Sequence, residues 1–364
     1  MVSFRRVLEF LLPYTRSGVY ESVDIRALKG IVKLSENEAP WDPPEELIEV
    51  FRESFEGVRR YPHSGYDKLS ARIAEYAGCE KEQVAVGSGA IALLDNAQRA
   101  LLEPGDAVVF PIPTYHEAMR RTMLNYGSVR MVKRNEKFEI DAETVISEAK
   151  STGAKMVYVC SPNNPTGTTT TFETTKKIAE NIEGVVVVDE AYFEFCGETA
   201  KDLVREFDNV IVLRTFSKAF GMAGLRVGYA LTSEKIAEAI NKVRLPYDVN
   251  ALAESAVMWM LDNEDYLEKV VEHVKSERAR MFGELRAIEG LEPLPSGANF
   301  ILSLARGIDT AAVQKELKSN GILINSFKTY VGLPESIRVG IGTREQNEMM
   351  MKMLKEAVGK FSIF

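Results

Sequence analysis

The chain has 364 residues, of which 45% are hydrophobic and 27% are charged. These proportions are ordinary for a globular protein and exclude a disordered, collagen-like or membrane-embedded chain. The 45 basic and 53 acidic side chains give a formal net charge of −8, so the chain lacks a strongly basic character and we expect no nucleic-acid partner.

The first residues predict neither a secretion signal nor a membrane anchor. Arg5 and Arg6 precede a short apolar run, but Glu9 interrupts it and no small-residue cleavage site follows. No stretch reaches the roughly 20 apolar residues of a membrane-spanning helix. The three cysteines and three histidines lack the spacings of disulfide frameworks or metal sites, so we expect no metal. We predict a cytoplasmic protein without a membrane partner, whose residues 1–30 form an N-terminal arm.

Between residues 84 and 213, short β-branched runs alternate with helical patterns. This alternation predicts βαβ units that build a parallel sheet with helices on both faces. The runs are apolar at consecutive positions, as expected for strands buried on both sides. We assign a large domain to residues 31–250. Its predicted strands are 84–86, 107–110, 156–159, 184–188 and 210–213, and its clearest predicted helices are 91–102 and 172–182.

From residue 251 onward the pattern changes. Apolar residues recur at steps of three and four over 251–285, which predicts a long helical region. The chain is therefore predicted to be an α/β protein, in which a large domain with a mostly parallel sheet between helices is followed by a smaller α+β domain at 251–364. The predicted strands of the smaller domain are 298–302, 321–324 and 337–341, and its predicted helices are 310–319 and 343–358.

The loop after the predicted strand 210–213 has the composition of a phosphate site beside an amine. Taken alone, Lys218 would be interpreted as a solvated lysine. However, Thr215 and Ser217 precede it, and Arg226 follows among small residues. Two hydroxyls and a guanidinium can surround a phosphate, and cofactor chemistry that begins with a Schiff base needs an amine next to it.

Four other strand ends carry residues that each have an ordinary structural explanation. For Asp189 that explanation is a helix cap, and for Tyr115 it is a place in the core. For the segment 161–167 it is a tight turn, and for the segment 87–89 it is a glycine-rich turn before a helix. Ligands of open α/β sheets bind beyond the carboxyl ends of the strands, so all five loops are expected to meet. One shared binding site explains them more simply than five unrelated structural roles.

With these segments the chain resembles a fold type I pyridoxal-phosphate enzyme, close to the histidinol-phosphate aminotransferase group of the class II aminotransferases. The matching segments occur in the family's order and cover nearly the whole chain. They are Asn37 with Glu38, Tyr61 with Pro62, 87–89, 113–115, 161–167, 189–192, 215–229, 296–300 and Arg338.

The resemblance implies a role for each matching residue. Lys218 would form a Schiff base with pyridoxal 5'-phosphate and move the substrate proton, and Asp189 would pair with the pyridine nitrogen. Arg338 and Asn37 would bind the substrate. Tyr61 would reach the cofactor phosphate from the neighbouring subunit, which implies a homodimer. The other expected contacts with the cofactor phosphate are Ser88, Gly89, Ala90, Thr215, Ser217 and Arg226. Tyr115 would lie on the ring face, and Asn164 and Tyr192 would contact the ring hydroxyl. Tyr192 is also an expected catalytic residue.

One position departs from the family pattern. In histidinol-phosphate enzymes the segment that matches 321–324 is usually followed by an arginine that helps to bind the substrate phosphate, whereas this chain has Asn325. A neutral amide cannot replace a guanidinium against a dianion. Lys328 either supplies the missing charge or is an ordinary exposed loop residue, and the sequence leaves both interpretations open.

The resemblance implies transamination between a small-molecule amino donor, either histidinol phosphate or an amino acid, and a 2-oxo acid. We expect 2-oxoglutarate as the acceptor and a ping-pong mechanism. The alternatives are a broad aromatic or aspartate aminotransferase and a threonine-phosphate decarboxylase on the same scaffold. A ligand sensor of this fold would carry an additional basic N-terminal domain, but only about 30 residues precede the first motif.

Overall fold

The computed structural model describes residues 5–9, 11 and 30–362. Most of the predicted N-terminal arm, residues 1–30, lies outside the described residues. Three sheets of seven, four and two strands organise the described chain. None of the helices in these described ranges combines the length and apolar character needed to cross a membrane.

The secondary structure follows the predicted order of strands and helices. The strands are β1 (Val32–Lys33), β2 (Val84–Gly87), β3 (Ala107–Ile112), β4 (Ser128–Lys133), β5 (Met156–Cys160), β6 (Val185–Asp189), β7 (Val210–Thr215), β8 (Gly228–Thr232), β9 (Leu291–Pro293), β10 (Phe300–Ala305), β11 (Ile322–Leu323), β12 (Asn325–Phe327) and β13 (Ser336–Gly340). The α-helices are α1 (Leu47–Phe55), α2 (Asp67–Ala77), α3 (Ala90–Leu101), α4 (His116–Leu124), α5 (Ala142–Thr152), α6 (Phe172–Asn181), α7 (Leu203–Glu206), α8 (Glu234–Val243), α9 (Ala251–Asp262), α10 (Asp265–Arg286), α11 (Thr310–Ser319) and α12 (Arg344–Phe361).

The seven-stranded sheet contains all five strands predicted for the large domain. Its order is β2-β8-β7-β6-β5-β3-β4, and β8 runs antiparallel to both of its neighbours. Side chains of β6 alternate between two cores, since Val186 and Val188 pack on one face of the sheet and Val187 on the other. Burial on both faces explains why the strand sequences are continuously apolar, and confirms the predicted α/β class.

The C-terminal part contains an antiparallel sheet of order β12-β13-β10-β9. The helical region predicted for 251–285 is present, and it is divided at Asn263 into the two helices α9 and α10. The predicted strand 321–324 is shorter, ends at Leu323 and pairs in parallel with β1. Thus β1, from the predicted large domain, pairs with a strand of the predicted small domain; the domain boundaries themselves remain a prediction.

The parallel strands bring the predicted site residues to one edge of the large sheet. Cys160 at the end of β5 lies in register with Asp189 at the end of β6, and Asp189 in turn pairs with Leu213 of β7. The loops that follow these strands therefore emerge side by side, as expected for the ligand-binding edge of an open α/β sheet.

Candidate active site

A cavity of about 1220 Å³ opens at this edge of the sheet. It is bounded by the strand ends of the large sheet, by α4, and by β12 and β13 of the C-terminal sheet. The predicted site residues that line it are Asn37, Ala90, Tyr115, Asn164, Asp189, Tyr192, Thr215, Ser217, Lys218, Arg226 and Arg338. The structure therefore brings most of the candidates together, and their individual roles remain predictions.

Lys218 presents an amine to this cavity. Its Nζ donates a hydrogen bond to the backbone carbonyl of Glu36 at 2.8 Å and lies 5.6 Å from the ring centroid of Tyr192. Burial, assisted by the charges of Arg338 and Arg226, lowers the pKa of Lys218 to about 8. A substantial fraction of the amine is therefore neutral near physiological pH, as a nucleophile or a base requires.

Asp189 lies at the end of β6 and is buried, with 7% of its surface exposed. Its Oδ2 accepts a hydrogen bond from the Tyr158 hydroxyl at 2.6 Å, and its Oδ1 accepts one from the backbone N–H of Ala191 at 3.1 Å. Burial raises the pKa of Asp189, while the two hydrogen bonds lower it. This environment suits a carboxylate that faces a cationic ligand group more than one that caps a helix.

A polar cradle lies between the loop after β7 and the start of α3. Thr215 Oγ1 donates to Ser217 Oγ at 3.0 Å, and Arg226 Nη1 donates to the same hydroxyl at 3.2 Å. Gly89 has φ +90°, a backbone conformation that favours glycine, and Arg226 Nη2 would lie 2.9 Å from a Cβ at this position. The N–H groups of Ala90 and Ile91, at the start of α3, precede the first hydrogen bonds of the helix, which Ala92 and Leu93 donate to the Gly89 carbonyl, and such a helix start favours an anion.

Ser88 and Gly89 do not line the cavity, although they precede the first residue of α3. The Ser88 backbone N–H donates to Asp248 Oδ2 at 3.2 Å. Asp248 is in turn paired with Arg244 at 2.9 Å. These contacts anchor the turn before α3, so the geometry gives Ser88 a structural contact alongside its predicted role at the phosphate.

Asn37 and Tyr192 both line the cavity and contact each other. Asn37 Nδ2 donates to the Tyr192 hydroxyl at 3.1 Å. Asn37 Oδ1 is buried and has no hydrogen-bond partner. Burial raises the pKa of Tyr192 to about 12, so its hydroxyl keeps its proton. This pair therefore offers one hydroxyl and one unused acceptor to a bound molecule.

Arg338 projects from β13 into the cavity. Its Nη1 donates to Asn164 Oδ1 at 2.6 Å and its Nη2 to the backbone carbonyl of Ser35 at 2.7 Å. Asn325 is the cross-strand partner of Arg338, and its amide donates to the same Ser35 carbonyl. The position that departs from the family pattern thus lies beside the predicted substrate-binding arginine.

Lys328, which the sequence offers for the charge that Asn325 lacks, is less well placed than two arginines of α4. The side chain of Lys328 is 62% exposed, lies 3.9 Å from Asp309 and does not line the cavity. Arg120 and Arg121 of α4 do line it, and the sequence analysis missed them. Both arginines follow Tyr115 by one to two helical turns, and this spacing is the sequence signal that points to them.

The arginines of α4 share a single buried carboxylate. Glu117 accepts from Arg120 Nη1 at 3.2 Å and from Arg121 Nη2 at 3.5 Å. Burial lowers the pKa of the neighbouring His116, which favours its neutral form. Two positive charges therefore face one negative charge, and this side of the cavity favours an anion.

Tyr61 is not part of the cavity in this chain. It is 80% exposed, and its ring stacks on Tyr247 with centroids 4.5 Å apart. Other large apolar side chains in the segments 48–61 and 245–247, which contain these two tyrosines, are also exposed: Ile48, Phe55, Val58 and Leu245. Such an apolar surface is typical of a protein–protein contact.

The amino-acid sequence is similar to those of known aminotransferases. Residues 29–354 match the sequence model of the family described as aminotransferase class I and II. Histidinol-phosphate aminotransferase 2 of Archaeoglobus fulgidus is 38% identical over 353 residues, which cover 97% of this chain and 99% of that protein. The histidinol-phosphate aminotransferase of a Thermoanaerobacter species is 35% identical over 341 residues, covering 93% and 96%.

The fold is also shared with solved structures. The crystal structure of histidinol-phosphate aminotransferase from Sinorhizobium meliloti, in complex with pyridoxal 5'-phosphate, superposes with a TM-score of 0.88 at 24% identity. The superposition covers 99% of this chain and 98% of that one. At this level of identity the likeness establishes the architecture.

Proposed function

The chain belongs to the class I and II aminotransferases, and from this premise we propose that its cavity binds pyridoxal 5'-phosphate and transfers the amino group of histidinol phosphate, or of a related donor, to a 2-oxo acid. The observation that carries the proposal is the convergence, in one cavity, of the Lys218 amine, the Asp189 carboxylate and the cradle around Arg226. The names of the relatives support histidinol phosphate as the donor.

The residues of the cavity fit this cofactor. The Arg226 guanidinium lies where a side chain at position 89 would extend, and together with Ser217 and the start of α3 it frames a place for phosphate. Asn37 Oδ1 is a buried acceptor that still lacks a donor. Asp189 is a buried carboxylate that lines the cavity, as a protonated pyridine nitrogen requires.

When bound, the cofactor supplies an electron sink that stabilises negative charge at the substrate carbon beside the amine. Asp189 holds a negative charge where the ring nitrogen would lie, and so favours the protonated ring. Lys218 Nζ takes the proton from the substrate carbon and returns it, because its lowered pKa leaves part of the amine neutral. Arg338 binds an anionic group of the substrate with its planar guanidinium.

Spectroscopy with single substrates tests the proposed reaction. An amino donor alone should convert the bound cofactor to pyridoxamine phosphate, and a 2-oxo acid alone should convert it back. We expect parallel double-reciprocal plots, as a ping-pong mechanism requires, with 2-oxoglutarate as the acceptor. A decarboxylase would release carbon dioxide without accumulating pyridoxamine phosphate, so that result would replace the proposal. A panel of donors containing histidinol phosphate, aromatic amino acids and aspartate identifies the donor.

Replacing Asn325 tests how the donor is recognised. Asn325→Arg places a second guanidinium beside Arg338, the cross-strand partner of this position. One charge-assisted contact to a phosphate contributes about 1.5–3 kcal/mol, so we expect kcat/KM for histidinol phosphate to rise about 10- to 150-fold relative to an aromatic amino acid. The measurement is the ratio of the two kcat/KM values in wild type and variant.

Three further variants identify the residues that provide the anion site in the wild-type enzyme. Arg120→Gln and Arg121→Gln should lower that ratio, because both arginines line the cavity. Lys328→Ala should leave it unchanged, because the lysine is exposed and outside the cavity. A strict wild-type preference for histidinol phosphate that responds only to Lys328→Ala would reverse this assignment.

The proposal includes a homodimer with shared active sites. The exposed stack of Tyr61 on Tyr247 joins two segments with exposed apolar side chains, and we propose this surface as the subunit contact. Tyr61 would then hydrogen-bond the cofactor phosphate of the partner subunit. Loss of that bond should lower kcat/KM about 10- to 150-fold in Tyr61→Phe.

Mixed dimers test the sharing directly. In a dimer of one Lys218→Ala and one Tyr61→Phe subunit, one of the two sites holds both wild-type residues. Random mixing of equal amounts should therefore restore about a quarter of wild-type activity. The two homodimers measured separately give the baseline, and native mass spectrometry verifies subunit exchange. No recovery after verified exchange would show that Tyr61 does not act across the interface.

A further inference from the structure

Asp189 is fixed by a tyrosine of the neighbouring strand that the proposed mechanism does not use. Tyr158 of β5 pairs with Val187 in the parallel register of β5 and β6, so its side chain lies on the same face of the sheet as that of Asp189. Its hydroxyl donates to Asp189 Oδ2 at 2.6 Å, while the backbone N–H of Ala191 donates to Oδ1. With one donor on each oxygen, the plane of the carboxylate is defined.

We propose that Tyr158 is a positioning residue, whose hydroxyl holds the Asp189 carboxylate in the orientation and the ionised state in which it meets the ring nitrogen of pyridoxal phosphate. This inference rests on the proposed function, in which Asp189 is the partner of that nitrogen. Tyr158 itself is not expected to touch the substrate.

Packing prevents the tyrosine from leaving this position. Tyr158 is fully buried, and its ring lies 5.5 Å from the ring of Phe110 on β3. Burial, with the charge of Asp189, raises the pKa of Tyr158 well above its usual value, so the hydroxyl keeps its proton. While Asp189 is ionised, the tyrosine is therefore the donor in this hydrogen bond, which favours the charged form of Asp189.

The hydrogen bond opposes the effect of the surrounding protein on Asp189. Burial raises the pKa of Asp189, and the neighbouring Glu190 raises it further. Besides Tyr158 and Ala191, the charge of Lys218 lowers it. Cys160 also faces the carboxylate from β5, but burial raises the pKa of this thiol to about 12, so it remains neutral. Removing the tyrosine hydroxyl therefore takes away a donor that the buried carboxylate needs to stay ionised.

Tyr158→Phe removes this single oxygen. We expect kcat to fall about 10- to 100-fold with little change in KM, because a hydrogen bond to a charged group is lost away from the substrate. The pH midpoint of the visible absorption of the bound cofactor should move upward. The reason is that a ring nitrogen without its proton no longer repels a proton on the nitrogen that joins the cofactor to Lys218. The dissociation constant of pyridoxal phosphate should rise about tenfold.

Tyr229→Phe is the matched control. Tyr229 lies on β8 of the same sheet and is equally buried, but its hydroxyl lies beside Arg214 instead of Asp189. This variant should leave the absorption midpoint in place. In an Asp189→Ala background, Tyr158→Phe should cause no additional shift. Should the phenylalanine variant not fold, fluorotyrosine at position 158 keeps the hydroxyl, makes it a stronger donor and should move the midpoint downward.

The outcomes separate this inference from the function on which it rests. If Asp189→Ala abolishes turnover but Tyr158→Phe changes neither the absorption midpoint nor the cofactor affinity, Tyr158 only fills the core and the inference is wrong. If Asp189→Ala itself leaves turnover intact, the proposed cofactor contact fails first. Equal shifts in Tyr158→Phe and Tyr229→Phe would also overturn the inference, because they would reflect general loosening of the sheet.

Discussion

Lys218→Ala is expected to lower turnover about 10⁴-fold or more and to abolish covalent attachment of pyridoxal phosphate. Two contributions are lost together, the amine that joins the cofactor and the base that moves the substrate proton, and proton transfer alone typically contributes 10²- to 10⁴-fold. The fold should survive, because the only hydrogen bond recorded for Lys218 Nζ in the described part of the chain is to the Glu36 carbonyl. Borohydride reduction of the holoenzyme followed by peptide mapping locates the attachment site.

The pH dependence of attachment provides a second measurement of the same residue. Because the pKa of Lys218 is lowered to about 8, its amine is mostly protonated below that pH and mostly neutral above it. The second-order rate constant for binding of the cofactor to the apoenzyme should therefore increase about tenfold per pH unit below 8 and level off above it. A rate that still increases steeply beyond pH 9 would indicate an ordinary, solvated lysine. Label on any other lysine would refute the assignment.

The strand ends show how much of the site can be predicted from the sequence. Asp189 and Lys218 follow apolar runs that are unmistakably buried strands, and the rule for open α/β sheets places such loops at a common edge. The cavity confirms that these loops meet. What the family resemblance adds is a chemical role for each residue, which the geometry alone does not assign.

Other parts of the site depend on contacts that no local pattern encodes. The acceptors for Lys218 and Arg338 are the backbone carbonyls of Glu36 and Ser35, about 180 and 300 residues away in sequence. Backbone carbonyls are common to every residue, so composition cannot reveal them. The sequence pattern marks Tyr158 only as part of a buried strand. The register of β5 and β6 places it on the same face as Asp189, and the hydrogen bond between them joins the two side chains.

The features that the sequence pattern does not reveal have physical explanations. The periodicity over 251–285 continues across the break at Asn263, because α9 and α10 both bury apolar side chains in the main core. The edge strand β4 was not predicted, since two of its middle residues, Arg130 and Met131, are exposed and the run is not continuously apolar. Strand β8 follows the loop of Lys218 directly and begins with glycine, which conceals its start.

Asp189→Ala is expected to lower kcat by at least about 10²- to 10³-fold while leaving the apoenzyme folded. Removing one partner of a buried, hydrogen-bonded charge pair costs about 3–5 kcal/mol, and here that pair would form between the carboxylate and the protonated ring nitrogen. The loss of folding stability in the apoenzyme is smaller, because burial already disfavours the charged form of Asp189 and raises its pKa. Leaving the Tyr158 hydroxyl without its acceptor costs about 1–3 kcal/mol of folding stability.

Charge and shape can be separated at this position. Asp189→Asn keeps the size of the side chain but not its negative charge, so it should lose nearly as much turnover as Asp189→Ala. A cofactor analogue methylated at the ring nitrogen carries a permanent positive charge and fits the space vacated by the carboxylate. The analogue should therefore restore part of the turnover of Asp189→Ala and none of that of Lys218→Ala.

If Asp189 were only a cap for the turn at Ala191, its loss would cost about 1 kcal/mol of stability and little activity. Near-wild-type turnover in both variants, with a lowered melting temperature, would establish that structural role instead.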